Sequence, residues 1–255
     1  MSEPIRAVDR ALDILLCFTR QTPRLSMTQI AEQVGMNKST VHRLLGTLEK
    51  RRFVQRDSSM GLYQLGIRML QMAYLTLEQN DLRKYATPYL RHLCDQHLET
   101  ITLSILDDAE VVFLDVVESP RRVKLAAYTG QHLPAFATAA GKAMLAYLPE
   151  QSVKAILERG MQPFTPKTIQ SQEVYLKTLS PFREQGFAIA EQEYEDGINA
   201  VAAPILGSTG LPIAAITVAG PAYRLTRDRM FEIGPTLMAT AIEIGQGFEA
   251  MAAPG

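Results

Sequence analysis

A run of short polar and cationic residues in the first quarter of the chain has the types and spacing needed to grip a polyanion. Within the stretch 38–50, Ser39, Arg43, Gly46 and Lys50 recur on one side of a helical projection, flanked by Thr40, His42 and Thr47. A guanidinium at Arg43 forks onto a guanine edge or a phosphate, and Ser39, Thr40 and His42 near a helix start reach base edges or backbone oxygens. Lys38, Lys50 and, further on, Arg56 are suited to phosphate contacts. Gly46 costs about 1 kcal/mol against alanine inside a helix; on this stripe it allows close approach to DNA. Each of these residues taken singly is equally a solvated surface side chain. Together they favour a duplex groove.

The elements needed to present that stripe are legible around it. Ser26, with Gln29 three residues on, has the pattern of a capping box opening a short helix that buries Ile30, Ala31 and Val34. Gly35 supplies a left-handed turn, and Asn37 is placed to cap the next helix. There Val41, Leu44, Leu45 and Leu48 share a buried stripe opposite the polar one. Two helices joined by a glycine-containing turn, the second with a cationic outer face, are the form of a recognition helix. Strand-like runs at 53–56 and 62–65 flank a turn-rich tip, Asp57–Gly61, and predict a wing. Ile5–Phe18 is expected to form a first helix beneath, and Met1–Pro4 to be disordered.

A second stretch with chemical potential is Gly130–Met144, GQHLPAFATAAGKAM. Thr138 is placed to cap a helix starting at Ala139. Ala139, Ala140 and Gly141 have almost no side chain, so an anion such as a carboxylate can come close to their N–H groups; simple close packing explains them as well. Lys142 sits in the first turn, the wrong end for the helix dipole, and calls for a nearby negative group: an internal glutamate is favoured over a bound acid. Enzyme readings are weak. The GKA of Gly141–Ala143 lacks the first glycine and the Ser/Thr of a phosphate loop. His92 and His97 do not share a helical face for a metal, and surface or partner-bonded histidines are expected. Glu191, Glu193, Glu195 and Asp196 read as a solvated strand end, and no nucleophile elbow is visible. No metal or cofactor is expected.

The chain of 255 residues has room for two modest domains, and its net charge of −1 is unevenly spread. Residues 1–66 carry ten Lys/Arg against six Asp/Glu, whereas the remainder carries sixteen against twenty-one. A basic small domain joined to an acidic larger one fits nucleic-acid binding confined to the first part. Cys17 and Cys94, each in a helical stretch, read as buried reduced thiols. With neither a leader-like segment nor a long apolar run, a cytoplasmic protein is expected. The stretch 67–79, IRMLQMAYLTLEQ, is apolar nearly all round, so a linker helix paired with its twin in a dimer is expected over burial within its own chain. From Asp81 an α+β pattern begins: a helix at 82–97; strands at 100–106, 111–117 and 123–128; helices near 139–147, 151–158 and 172–185; strands at 187–193, 200–206 and 213–219; and a final helix at 227–251. Hairpin-like pairs with clustered helices predict an antiparallel sheet flanked by helices. The domains expected are 1–66, the linker 67–80, and 81–255.

VDRALDIL, MTQIAEQVGMNKSTVHRLLGTLEKRRFV and YQLG, followed by TAAGKAMLA, FTPKTI, EQEYEDGINAVAAPI and TVAGPAYRLT, resemble the IclR family of bacterial transcriptional regulators over nearly the whole chain. One departure is Arg52, where the family usually has the glycine that ends the recognition helix. The resemblance implies a winged helix-turn-helix plus a GAF-like effector domain, double-stranded operator DNA as partner, no membrane association, and a homo-oligomer, either a dimer or a dimer of dimers. It also implies an effector cavity lined by the helix start at Thr138–Gly141 and by the strands after Gly186 and Gly197. Members responding to small keto acids carry an aspartate and a cysteine where this chain has Ala190 and Ala200. With Leu133, Phe136 and Ala202 adding apolar lining, a larger organic acid, aromatic ones included, is expected over glyoxylate or pyruvate. The alternative is a DNA-binding oligomer whose C-terminal domain takes no small molecule.

Overall fold

A computed structural model describes residues 5–57, 59–78 and 81–252, in two compact units, Met1–Asn80 and Asp81–Gly255. The expectation for Met1–Pro4, and the positions of Ser58 in the wing tip and Gln79 in the linker helix, lie outside the described residues.

The first unit runs α1 (Arg6–Leu16), α2 (Met27–Gln33), α3 (Lys38–Lys50), β1 (Val54–Arg56), β2 (Tyr63–Leu65) and α4 (Ile67–Glu78). The capping box is present: Gln29 N–H donates to Ser26 Oγ at 3.3 Å while Ser26 N–H donates to Gln29 Oε1 at 2.9 Å. Gly35 takes φ 62°, and Asn37 Oδ1 accepts from Thr40 N–H at 3.0 Å. Ile14, Leu25, Ile30, Val41, Leu45, Val54 and Tyr63 close the core, with Val34 and Leu44 half-buried at its margin. Arg52 adopts the left-handed conformation, φ 62°, that the expected glycine would take freely. Such a residue costs on the order of 1–2 kcal/mol. Hydrogen bonds offset it: Arg52 N–H to Glu49 O (2.9 Å), Phe53 N–H to Leu48 O (2.9 Å) and Arg68 N–H to Arg52 O (3.1 Å). Cys17 is a correction: it caps the end of α1 and is only half-buried, whereas Cys94 is buried; both are free thiols.

The second unit runs α5 (Asp81–His97), β3 (Thr100–Asp107), β4 (Glu110–Val117), β5 (His132–Pro134), a 3-10 turn at Ala135–Ala137, α6 (Ala139–Leu145), α7 (Glu150–Leu157), α8 (Gln172–Gln185), β6 (Ala188–Glu191), β7 (Ile198–Leu206), β8 (Pro212–Pro221) and α9 (Arg227–Ala252). Six antiparallel strands lie in the order β5-β4-β3-β8-β7-β6. Side chains alternate across the sheet. Ile101, Leu103, Val201, Ile205, Ile216 and Val218 pack with α5 and α9 on one face, whereas Ala188, Ala190, Ala202 and Ala215 pack with α6–α8 on the other. No helix among the described residues is long and apolar enough to cross a membrane.

Three expectations are overturned. The stretch 123–128 is not a strand; its carbonyls are taken outside any ladder, Val123 O by Arg224 Nη2 (2.8 Å) and Leu125 O by Thr100 Oγ1 (3.4 Å). Arg224 itself grips the buried Glu99 through two bonds, at 2.7 and 2.9 Å. His97 is neither a surface nor a partner-bonded histidine: both ring nitrogens are buried without a hydrogen-bond partner, and burial, helped by the nearby Arg229 charge, pushes its pKa down. Glu193 is not on a solvated strand end.

The strand closes at Glu191, and Gln192, at φ 57°, turns the chain so that Glu193 points inward. There both of its carboxylate oxygens accept from Lys142 Nζ, the internal partner expected for that lysine. Thr165 Oγ1 donates to Gln192 O and Thr168 Oγ1 to Glu193 O, each at 2.6 Å, so the FTPKTI segment holds the turn in place. Lys142 is 1% exposed and Glu193 8%. Burial pushes the lysine below and the glutamate above their ordinary pKa values, each partly restored by the other's charge. Removing one partner of a buried pair strands the other. Lys142→Met should therefore cost roughly 3–5 kcal/mol in chemical denaturation, and Lys142→Met/Glu193→Gln should recover most of that loss.

Candidate nucleic-acid interface and ligand cavity

On α3 the core stripe of Val41, Leu45 and Leu48 turns the opposite side outward. Lys38, Ser39, His42, Arg43, Gly46 and Lys50 are exposed, and Thr40 is half-buried. The Ser39 hydroxyl donates to Asn37 Oδ1 (2.9 Å), which leaves its lone pairs outward as acceptors. Thr47 donates to Arg43 O at 3.0 Å and is occupied locally. A Cβ on Gly46 would meet nothing within 4 Å, so no packing inside the chain requires glycine there. Arg56 is exposed at the end of β1, its guanidinium over the Tyr63 ring at 5.6 Å. Arg24 Nε donates to Gln64 Oε1 (3.0 Å), tying the wing to the segment before α2. All seven expected contact residues thus belong to one compact unit, six from α3 and Arg56 from the wing.

In the second unit a cavity of about 90 Å³, partly open to solvent, lies between the α6 side of the sheet and the segment 125–127. It exists because its layers are built of small residues. Ala190, Ala200 and Ala219 form sheet floor, Ala139 and Ala140 open α6 above, and Phe113, Leu125 and Leu133 close the sides. Of the expected lining, Leu133, Thr138, Ala139, Ala140, Ala190 and Ala200 are in the wall. Phe136, Gly141 and Ala202 are not. Phe136 is buried against Phe164, ring centroids 6.0 Å apart. Ala202 is fully buried between Ala188 and Thr217 in the sheet. Gly141 answers to packing, because a Cβ there would stand 2.0 Å from Ala135 O.

Thr138 caps α6 by accepting from Gly141 N–H at 3.2 Å, and Ala139 and Ala140 of the same helix start line the cavity. Sequence reasoning missed Thr102, Thr217, Tyr194 and the two wall carboxylates Glu193 and Glu195. Thr102 and Thr217 are cross-strand neighbours at the floor. The Thr217 hydroxyl is buried with no hydrogen-bond partner. A buried unsatisfied polar atom is costly and calls for a reason. Its signal was a lone hydroxyl in the otherwise apolar run AAITVAG. Tyr194 packs on Phe164 at 4.9 Å, and burial pushes its pKa up, with Glu195 adding to the rise.

Comparison with known proteins agrees with both units. Residues 7–58 match the IclR helix-turn-helix domain, and residues 74–246 match the family described as bacterial transcriptional regulator IclR C-terminal. The chain is 35% identical over 216 residues to the HTH-type transcriptional regulator XynR of Escherichia coli K12, covering 84% of this chain and 85% of that protein. It superposes on an IclR transcriptional regulator from Alicyclobacillus acidocaldarius with TM-score 0.85 at 26% identity, covering 96% and 99% of the two chains. An IclR homolog from Microbacterium hydrocarbonoxydans, solved in complex with 4-hydroxybenzoate, shares the fold with TM-score 0.80 at 22% identity, covering 94% and 99%. A DNA-binding helix-turn-helix unit followed by an effector domain, matched along nearly all of its length, makes this chain a member of the IclR family of bacterial transcriptional regulators.

Proposed function

We propose that the protein holds its operator through Lys38, Ser39, Thr40, His42, Arg43, Lys50 and Arg56, and that a small organic acid in the effector-domain cavity modulates that hold. The unfilled space above Gly46 carries the first half. A helix-interior glycine with no neighbour in its own chain makes physical sense where another molecule comes close. Gly46→Ala should stabilise the folded protein by about 0.5–1 kcal/mol in thermal or urea melts. The same change should weaken operator binding in a gel shift. Unchanged DNA affinity would count against α3 as the element in the groove.

The unpartnered Thr217 hydroxyl carries the second half, since it lies in the wall of a cavity lined mainly by alanines and other apolar side chains and awaits a polar group. An apolar pocket with a few convergent polar groups is the usual form of a small-molecule site. The 4-hydroxybenzoate in the Microbacterium homolog makes a ring acid a sensible first probe. Ala190 and Ala200 leave room for one, so aromatic acids are favoured over glyoxylate and pyruvate. Thr217→Val keeps the side-chain shape and deletes the hydroxyl. It should weaken the bound acid by about tenfold, the equivalent of one hydrogen bond. A thermal-shift and gel-shift panel in which no acid acts would leave the rival reading, a DNA-binding oligomer with an empty effector domain.

Pairing of two chains along α4 completes the proposal. Ile67, Leu70, Met72, Tyr74 and Leu75 are all exposed on this one helix, as are Ile5, Val8, Leu12 and Leu16 on and just before α1. So much apolar surface in one small unit is a mark of an association surface. A dimer would also present two recognition helices to two half-sites. Sedimentation at micromolar concentration should show a dimer or a larger species, and Leu70→Glu/Leu75→Glu should shift it toward monomer.

A further inference from the structure

The cavity is built for an acid that arrives with a proton. Its wall holds two carboxylates, Glu193 and Glu195, and no lysine, arginine or histidine. The nearest buried cation, Lys142, is already engaged by both oxygens of Glu193. A ligand carboxylate entering this space would therefore set two negative groups beside one ammonium, inside a wall whose other polar side chains, Thr102, Gln131, Thr138, Tyr194 and Thr217, carry no positive charge. Two carboxyl groups confined at short range do not both stay ionised; one proton is shared between them.

Among the described residues, Lys142 is the cation that faces Glu193. From α6 it meets Lys142, whose ammonium is covered by the Phe182 ring of α8 at 5.8 Å. From α8 comes Tyr175, fully buried, its hydroxyl without a hydrogen-bond partner and its proton held tightly by burial. From the end of β6 comes Glu191, itself paired with Arg227 of α9. Glu195 follows on the same turn, and Thr165 and Thr168 address the backbone carbonyls. Burial already pushes the Glu193 carboxyl above its ordinary range with Lys142 in place.

We infer that an acid ligand enters this cavity together with one proton from solvent, which rests between the ligand carboxyl and Glu193. The only bond formed is O–H, and the ligand is in effect recognised as the neutral acid. This rests on the effector reading above and names the charge state of the species taken.

The test is calorimetry on the full chain with 4-hydroxybenzoate, benzoate and glyoxylate, against 4-hydroxybenzamide, which carries no carboxyl group. Titrations in phosphate and in Tris at one pH report the protons taken up through the difference in buffer ionisation heat. Any acid that binds should take up about one proton, and its affinity should fall about tenfold per pH unit from pH 6 to 8. The amide should bind with no uptake and no pH dependence. Glu193→Gln, checked first by melts for folding because it leaves Lys142 without its partner, removes the second carboxyl, so acids should then bind with no proton uptake and should gain most at pH 8. Acid binding with equal heats in both buffers overturns the inference and leaves the effector reading standing. Uptake that persists in Glu193→Gln removes Glu193 as the proton's partner. If acids and amide alike fail to bind at any pH, the effector reading falls and the inference with it.

Discussion

A lysine ammonium in a protein interior is costly unless an opposite charge stands beside it, and in the second unit Glu193 supplies that charge to Lys142. Lys142 is the middle residue of the seven-residue helix α6, Ala139–Leu145, laid on the sheet. Continued alternation along β6 would leave Glu193 on the side of Ile189 and Glu191, opposite Ala188 and Ala190, which face α6. The chain leaves β6 through a left-handed residue, Gln192, and places Glu193 under the helix. Two threonines from a separate loop then anchor the carbonyls of the turn. Helix, turn and loop are thus tied at one point, and the alanine-lined space beside that point stays open.

The first unit depends on backbone groups instead of buried charge. Each short helix carries its own cap, by Ser26 with Gln29 and by Asn37. The return from α3 into the wing is made by a strained arginine whose neighbours supply compensating hydrogen bonds. Holding the ends locally leaves Lys38, Ser39, His42, Arg43, Gly46 and Lys50 exposed on the outer side of α3. At Gly46 a Cβ would meet nothing within 4 Å. Gly66 and Gly141 look the same in sequence, yet a Cβ on either would collide with backbone, at 2.2 Å from Arg52 O and 2.0 Å from Ala135 O.

Much of the fold is legible in the sequence because it is written in local patterns. Helix caps, the 3.6-residue stripes of α3 and the β-branched runs of β3, β4, β7 and β8 each rest on residues close in sequence. A negative partner for Lys142 is legible from the helix start expected at Ala139, although the lysine stands midway along the seven-residue helix and its partner is Glu193. The apparent strand at 123–128 misleads because β-branching records a preference for extended backbone and says nothing about whether a neighbouring strand has a free edge. His97 and Glu193 mislead for a related reason: polarity in sequence does not fix exposure, and burial is decided by what packs over a residue.

What the chain alone determined was the inventory: a capped helix pair with a cationic outer stripe, an α+β second half, and a lysine-bearing helix start rich in alanine. Those follow from propensity, periodicity and charge, which act over a few residues. Tertiary structure alone decided which glycines are crowded and which are open, which glutamate answers Lys142, and that the Thr217 hydroxyl is stranded in a cavity wall. Each of these is a distance between atoms far apart along the chain. Such distances are set only when sheet register and helix packing bring the layers together.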